Sequence, residues 1–479
     1  MLIRGASLLD GRRVDVRCRA GAIAAVAPAL RPEAGEQVIE AGGGALLPGL
    51  NDHHIHLFAL AAALASVACG PPAVADAGQL AAALRRAAPA GEWLRGVGYH
   101  ESVAGPLDRW LLDRWVADRP LRIQHRSGKM WFLNSLACQR LGLDREPGPE
   151  GIERDARGRP TGRLFRLDEW LGQRLRQGGA PDLGPVSQLL ASGGVTGVTD
   201  AGADNGASAV AALDAAAAAG RLRQRLLVMG GEQLPAPAHP LLSRGPLKLL
   251  LDDHRLPEWD VLLGQVTRAR QRGRAVAIHC VTRTELVFAL AVLDAAGRGR
   301  GDRIEHASVA PDDAMPLLRS TGVTVVTQHG FILERGDRYL QEVPLAEHDL
   351  LYRGRSFIDA GVPLAGGSDA PYGSADPWLA MRAAVDRRSA GGHRLGESER
   401  LTPEGALRIF TGTLQNPGGP PRTIAAGQPA DLCLLDRPWA AARLRLNSGD
   451  VVATWVAGDM IYCALSHGAV ARRSADPGR

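Results

Sequence analysis

An α/β fold built on a (β/α)8 TIM-like barrel is what the sequence predicts, and three observations predict it. From about residue 184, short apolar runs recur as strand candidates at 195–199, 226–229, 247–251, 275–278, 303–305, 323–327 and 363–365. Helical stretches such as 207–219 and 284–296 separate most of them. With the apolar run Ala45, Leu46 and Leu47 ahead of Pro48-Gly49-Leu50-Asn51-Asp52-His53-His54-Ile55-His56, the strand candidates number eight. Strand–helix alternation argues a parallel sheet, and eight units argue a closed barrel. A doubly wound sheet fits less well, because no Gly-x-Gly-x-x-Gly follows the first strand. A chain of 479 residues leaves room for more than this one domain.

Taken in order, residues 1–45 read as short strands and turns. Asp10-Gly11 is a hairpin signal, 13–19 alternates, and 23–26 is apolar. The stretch from Leu57 to Cys69 reads as the helix after the first strand, ended by Gly70-Pro71-Pro72 and too short to cross a bilayer. Residues 81–180 break the rhythm. They hold Trp93, Trp110, Trp115, Trp131 and Trp170 and one evident apolar strand, Leu121 to Gln124, so they read as an insertion. Thr402-Pro403 is an N-cap followed by proline at the first helical position, and it opens the segment that closes the barrel. Strands are expected at 432–435, 451–456 and 460–463, with a polar tail expected to fray from Ser466.

The expected domains are therefore a composite β-sandwich from 1–45 and 420–465, a barrel from 46–80 and 181–419, and a subdomain, 81–180, inserted over the barrel mouth. Connections at the C-terminal ends of barrel strands emerge where the chemistry sits.

Composition excludes several classes. Hydrophobic residues at 45% and charged residues at 22% are those of an ordinary soluble globular protein. The net charge of +5 comes from scattered arginines rather than basic runs, so no nucleic-acid partner is expected. No leader or spanning stretch is visible, so no membrane partner is expected either. Cys18, Cys69, Cys138, Cys280, Cys433 and Cys463 are dispersed, without a Cys-x-x-Cys pair, as in a reduced cytoplasmic protein. A homo-oligomer stays open.

The chemistry-bearing residues stand at strand ends. His54 and His56 are two apart, so on a strand they share a face. His279 follows 275–278, His306 follows 303–305, and Asp369 follows Gly366-Gly367-Ser368. Lys248 lies inside the 247–251 run. Only Lys129 and Lys248 are lysines in a chain with 56 Lys and Arg, which points to sites a guanidinium cannot serve. Each feature alone fits a structural role, a snorkelling lysine included. Their recurrence at one end of one barrel favours a His and carboxylate site for zinc or a similar divalent ion.

These motifs resemble the metal-dependent amidohydrolase superfamily, and more narrowly its N-substituted formamide deformylase-like branch. The residues that carry the resemblance are the first-strand segment above, Ala277-Ile278-His279, Arg303-Ile304-Glu305-His306-Ala307 and Gly367-Ser368-Asp369-Ala370-Pro371. Branch-level features are His125 with Asn134-Ser135, Gly158 to Gly162, Gly336-Asp337-Arg338-Tyr339 and Gly427 to Asp431. One departure is Gly162-Arg163-Leu164-Phe165-Arg166, where related sequences often carry a glutamate soon after the glycine; it bears on substrate contacts.

The resemblance implies that His54, His56, Lys248, His279, His306 and Asp369 hold one or two divalent ions, with Lys248 as a carbamate bridge. It implies hydrolysis of a C–N bond in a small-molecule amide, formamide or cyclic amide by metal-activated hydroxide, with Asp369 as proton shuttle. A hydrolytic deaminase of the same superfamily is the alternative, but it typically carries a glutamate where this chain has Thr282. A non-catalytic scaffold on this fold usually lacks ligands, and none is missing here. Within the insertion, Gln124-His125-Arg126-Ser127-Gly128 turns from apolar strand to polar loop. His125 and Arg126 are expected to contact the substrate there.

Overall fold

The computed structural model describes residues 1–71, 73–87, 93–145, 148–175, 180–464 and 470–473. They fall into two compact units, Met1–Leu57 with Leu183–Arg479, and Phe58–Asp182.

The first unit contains the barrel. Its strands are β1 (Leu50–Ile55), β2 (Val195–Asp200), β3 (Arg225–Gly230), β4 (Leu242–Leu250), β5 (Val276–Cys280), β6 (Arg303–His306), β7 (Thr324–Thr327) and β8 (Leu364–Gly366). They form one eight-stranded sheet in chain order. Every hydrogen-bonded neighbour is parallel; Lys248 on β4 stands opposite Ala277 on β5, and Cys280 opposite His306 on β6. The segment after β8 returns to β1: Asp369 N–H donates to the His54 carbonyl at 2.8 Å, and His56 N–H to the Ala370 carbonyl at 2.9 Å. Gly367 permits this approach, since a Cβ there would lie 2.6 Å from the His54 Cβ.

Apolar or β-branched stretches such as 276–278 and 324–327 fit strands covered on both faces, one by the barrel interior and one by helices, whereas β1 and β6 are largely polar. The helix Arg283–Ala295 is fixed at its start by a capping box, in which Thr282 accepts from Glu285 N–H and Glu285 reaches back to Thr282 N–H. Thr402 caps the helix Pro403–Arg408 in the expected way. Among the described residues no helix is long and apolar enough to cross a membrane.

One expectation needs correction. The run at Ala45–Leu47 does not lead into the barrel; Leu46–Pro48 is a separate strand paired with Leu432–Leu435. The barrel strand begins at Leu50 and itself carries His54. A local run of apolar residues says that a strand forms, but not which sheet it joins.

Both chain ends build two further sheets in this unit. Leu2–Ser7, Arg13–Arg19, Ala22–Ala27, Gln37–Glu40 and Val470–Arg473 form one; Leu46–Pro48, Leu432–Leu435, Val451–Val456 and Asp459–Cys463 form the other. They share one core, with Ile3, Val16, Ile23 and Ile39 against Leu432, Leu434 and Trp455. The tail is not frayed throughout, because Val470–Arg473 pairs with Gln37–Glu40. The rest of that expectation, 466–469 and 474–479, lies outside the described residues.

The second unit has more structure than its sequence suggests. Ile152–Arg154, Pro160–Phe165, Met130–Leu133, Leu121–His125, Leu94–Tyr99 and Val67–Ala68 form a six-stranded sheet in that spatial order. The helix after β1 is shorter than expected, Leu57–Leu64. Trp131 packs in this unit's own core with Leu133, Leu164 and Leu171. Arg95 and Arg122 lie 5.4 and 5.5 Å from its ring. Asn134, one of the branch-level residues, is a buried clamp: its Oδ1 accepts from Leu121 and Ala137 N–H, both at 2.9 Å, and its Nδ2 donates to the Val116 and Arg119 carbonyls, both at 2.8 Å.

Candidate metal centre at the C-terminal ends of the barrel strands

His54, His279 and His306 sit at the C-terminal ends of β1, β5 and β6, His56 lies just past β1, and Asp369 lies in the segment that follows β8. The closest gathering is that of His54, His56 and Asp369, which offer ligand atoms all within 4.8 Å of one another. His56 Nε2 is 3.1 Å, and His54 Nε2 3.5 Å, from Asp369 Oδ1. Ring centroids of His54 and His306 are 4.7 Å apart, and those of His306 and His279 are 4.5 Å apart. The sequence-predicted histidines therefore form one connected cluster with Asp369.

His306 and Asp369 hold positive φ angles of 71° and 54°. For residues other than glycine this conformation costs on the order of 1–3 kcal/mol and persists only where surroundings impose it. Ala307 continues the unusual path at φ 45°. The strand ends thus turn abruptly where their polar side chains must face inward.

Two of the histidines, His54 and His306, are each aimed by a partner that the sequence did not single out. His54 Nδ1 donates to Glu305 Oε2, and both residues are buried. Glu305 is in turn held by Arg303, whose Nε lies 2.8 Å from Glu305 Oε1 and whose Nη2 donates to the His53 carbonyl at 2.5 Å. His306 Nδ1 lies 2.7 Å from Gln328 Oε1. In both cases the second nitrogen, Nε2, is left for the centre, the usual arrangement of a metal-binding imidazole. Asp52 ties β1 to the segment after β8 by accepting from His54 N–H at 3.1 Å and Ser368 N–H at 3.0 Å. Asp200 on β2 accepts from Leu57 N–H at 2.8 Å and Asn205 Nδ2 at 2.7 Å. Glu305 belongs to a motif the sequence does display, but its partner His54 is remote in the chain.

The electrostatics suit a cation. Burial pushes the imidazoles of His54 and His306 below the ordinary range and that of His279 down to about 2. They are therefore neutral, as metal ligation requires. Burial would raise the Asp369 carboxyl, yet its hydrogen bond with His56, whose own pKa is raised in return, holds it below the usual carboxylate range. Glu305 is likewise held ionised against burial, by Arg303, Lys248 and His54. Burial raises Asp52 to about 6.

Lys248 is 4% exposed, and its Nζ has no hydrogen-bond partner. Burial lowers its pKa, while Glu305 and Asp369 act in the opposite sense. An ammonium buried without a partner is costly, and it is not snorkelling to solvent. The donor set and the unpartnered amine fit a divalent ion better than an empty polar pocket.

Tyr372, also not singled out by sequence, stands edge-on to His56 at 5.6 Å between ring centroids and is 52% exposed. Thr282, at the position where a deaminase glutamate is expected, is occupied as a helix cap. In the second unit, His125 has both nitrogens engaged, Nε2 at 3.0 Å from Glu101 Oε2 and Nδ1 at 2.7 Å from Ser127 Oγ. Arg126 is exposed, with its N–H bonded to the Tyr99 carbonyl at 2.8 Å.

Comparison with known proteins gives a consistent result. A model of the Amidohydrolase family matches residues 37–462. An N-substituted formamide deformylase from Arthrobacter pascens is 28% identical over 520 residues, covering 95% of this chain and 94% of that protein. Among solved structures, an uncharacterized metal-dependent hydrolase from Pyrococcus horikoshii OT3 superposes with a TM-score of 0.77 at 20% identity, covering 94% of this chain and 99% of the other. A metal-dependent hydrolase from Pyrococcus furiosus, also uncharacterized, gives 0.72 at 20% identity, with 91% and 98% covered.

Proposed function

Because the chain belongs to the amidohydrolase family, we propose that it hydrolyses an N-substituted formamide or a related small amide at a divalent-metal centre held by the barrel. That it is a hydrolase of C–N bonds other than peptide bonds follows from the family and the deformylase relative. The observation that supports the finer reading is the gathering of His54, His56 and Asp369 within 4.8 Å, with His306 and His279 beside them.

His54, His56, His279, His306 and Asp369 would hold the ion, zinc by donor chemistry, and Lys248 as a carbamate would add a bridging carboxylate between two ions. Such an ion supplies Lewis acidity, polarising the substrate carbonyl and bringing the pKa of water to about 7. Asp369 is held ionised by its hydrogen bond with His56, so it can accept the proton of the attacking water. It then donates that proton to the departing nitrogen, which leaves as an amine. Glu305 and Gln328 keep the imidazoles of His54 and His306 in place through this cycle. Tyr372 offers an aromatic wall beside His56.

His125 and Arg126 are the proposed substrate contacts in the second unit. Chain connectivity supports this: that unit begins at Phe58, immediately after the segment carrying His54 and His56. His125 would exchange its Glu101 or Ser127 partner for a substrate carbonyl, and the Arg126 guanidinium suits a carboxylate.

The test is a screen of purified, zinc-loaded protein against N-substituted formamides, longer N-acyl amines, cyclic amides and aminated heterocycles, with amine or ammonia release measured. Amine release from formamides, with about one to two ions per chain, is the expected result. Ammonia from heterocycles alone would favour the deaminase, and full activity without metal would overturn the reading.

A further inference from the structure

The end of the barrel away from the histidines holds an arginine-lined cavity of about 490 Å³. Arg244 lies near the start of β4, Arg274 just ahead of β5, Arg300 just ahead of β6, and Arg303 opens β6. Gln415 and Asn416 add amide groups. No carboxylate lines it among the described residues. Along β5 the distance from Ala275 to His279 is about 13 Å of extended chain, so this cavity is separate from the metal centre.

Among the described residues Arg244, Arg274 and Arg300 line this cavity without a carboxylate partner, whereas Arg303 is paired with the buried Glu305. Arg274 is 8% exposed, yet its guanidinium donates only to uncharged carbonyls: Gly245 at 2.8 Å, Gly231 at 2.5 Å, and Gly230 and Pro246 both at 2.9 Å. Its positive charge is therefore fixed and uncompensated. Burial, and then the nearby Arg244, lower its pKa to about 10. Arg303 is 1% exposed; its Nε and Nη2 are engaged by Glu305 and His53, but its Nη1 is buried with no acceptor. Arg244 and Arg300 are exposed at the rim. One uncompensated buried cation and two accessible ones around one opening, with no acid lining it among the described residues, raise the local positive potential and concentrate anions.

We propose that this cavity binds a phosphate-class oxyanion, with Arg244 and Arg300 as its direct ligands and Arg274 as fixed positive charge behind them. Guanidinium forks match phosphate oxygens in pairs, and the amides of Gln415 and Asn416 can donate to the remaining oxygens. The cavity is larger than a bare phosphate requires, so the anion is either free phosphate or the phosphate group of a small ester. This inference does not rest on the proposed hydrolase substrate.

Titration calorimetry on the full-length zinc-loaded protein tests it, with inorganic phosphate and glycerol 3-phosphate as the two probes and potassium chloride at matched ionic strength as control. Saturable binding of either probe is expected, and its affinity should fall at least about tenfold in the double variant Arg244→Ala, Arg300→Ala. Tighter binding of glycerol 3-phosphate identifies an ester site; equal or tighter binding of phosphate identifies a free-anion site. Far-UV circular dichroism and unchanged zinc content confirm that the double variant is folded. If that variant does not fold, Arg300→Gln alone serves, with a weaker affinity expected. Absence of saturable binding, or an affinity unchanged in a folded variant, overturns the proposal, since phosphate held by the zinc would be indifferent to these arginines.

Discussion

Glu305 accepts a hydrogen bond from His54 Nδ1, and 251 residues separate the two in the chain. The carboxylate fixes the ring so that Nε2 faces Asp369. If His54 is a metal ligand, Glu305→Gln should lower metal affinity by about 10–100-fold, the usual loss when an outer partner of a ligating histidine is altered. Competition with a chelator measures this. Unchanged affinity would reduce the pair to a packing contact.

The proposed role of Asp369 as proton shuttle goes beyond binding a metal. Asp369→Asn keeps size and one oxygen but removes the base, so kcat should fall at least about a hundredfold. Steady-state kinetics at matched metal occupancy is the check. A variant with near-parental kcat takes Asp369 out of the proton path.

Lys248 has no partner for its buried ammonium. Conversion to a carbamate would supply one by changing its charge and letting it bridge two ions. Lys248→Arg should then lose the second ion, because a guanidinium cannot form the carbamate, and Lys248→Ala should recover activity with added short carboxylic acids. Parental metal content in the arginine variant would contradict the bridge. So would the absence of a carbamate signal after growth with isotope-labelled bicarbonate.

His329 offers a test of stability against pH. Burial, aided by the Arg387 charge, lowers its pKa to about 3 from 6.5. Between those values the unfolded chain holds a proton there that the folded chain does not, so stability rises with pH across this window. The slope from one such group is about 1.4 kcal/mol per pH unit. His329→Gln should flatten the slope of unfolding free energy between about pH 4 and 6 by that amount. Urea unfolding of parent and variant decides it; parallel slopes would show that His329 titrates normally.

His125 tests the second unit's role. His125→Ala should leave metal content and fold intact and raise KM or change which amides are accepted. Kinetics on several substrates reads this out, and kcat/KM values equal to the parent's on all of them would remove His125 from substrate recognition.

The barrel was legible in the sequence because it rests on local regularities. Parallel strands covered on both faces tend to be apolar runs, and the helices between them must be amphipathic or small, so alternation is written residue by residue. The residues at the strand ends were legible for the same reason: His279, His306 and Asp369 each follow a run that predicts a strand, and parallel strands in a barrel place those ends on one side. What the sequence could not express was partnership. Leu46–Pro48 looks like the start of the first barrel strand, yet it pairs with Leu432–Leu435, because pairing depends on which edge is free and not on the run itself. Trp131 fills the second unit's own core, a destination its sequence position does not specify, because an aromatic ring satisfies either a core or a pocket. Glu305, Gln328 and Arg303 gained their roles only through folding. Their hydrogen bonds to His54, His306 and the His53 carbonyl span 22 to 251 positions, and no local pattern specifies which acceptor a buried donor will meet. The sequence determined the fold class and the groups available for chemistry; the tertiary structure decided their orientation, their charge state and what each was held by.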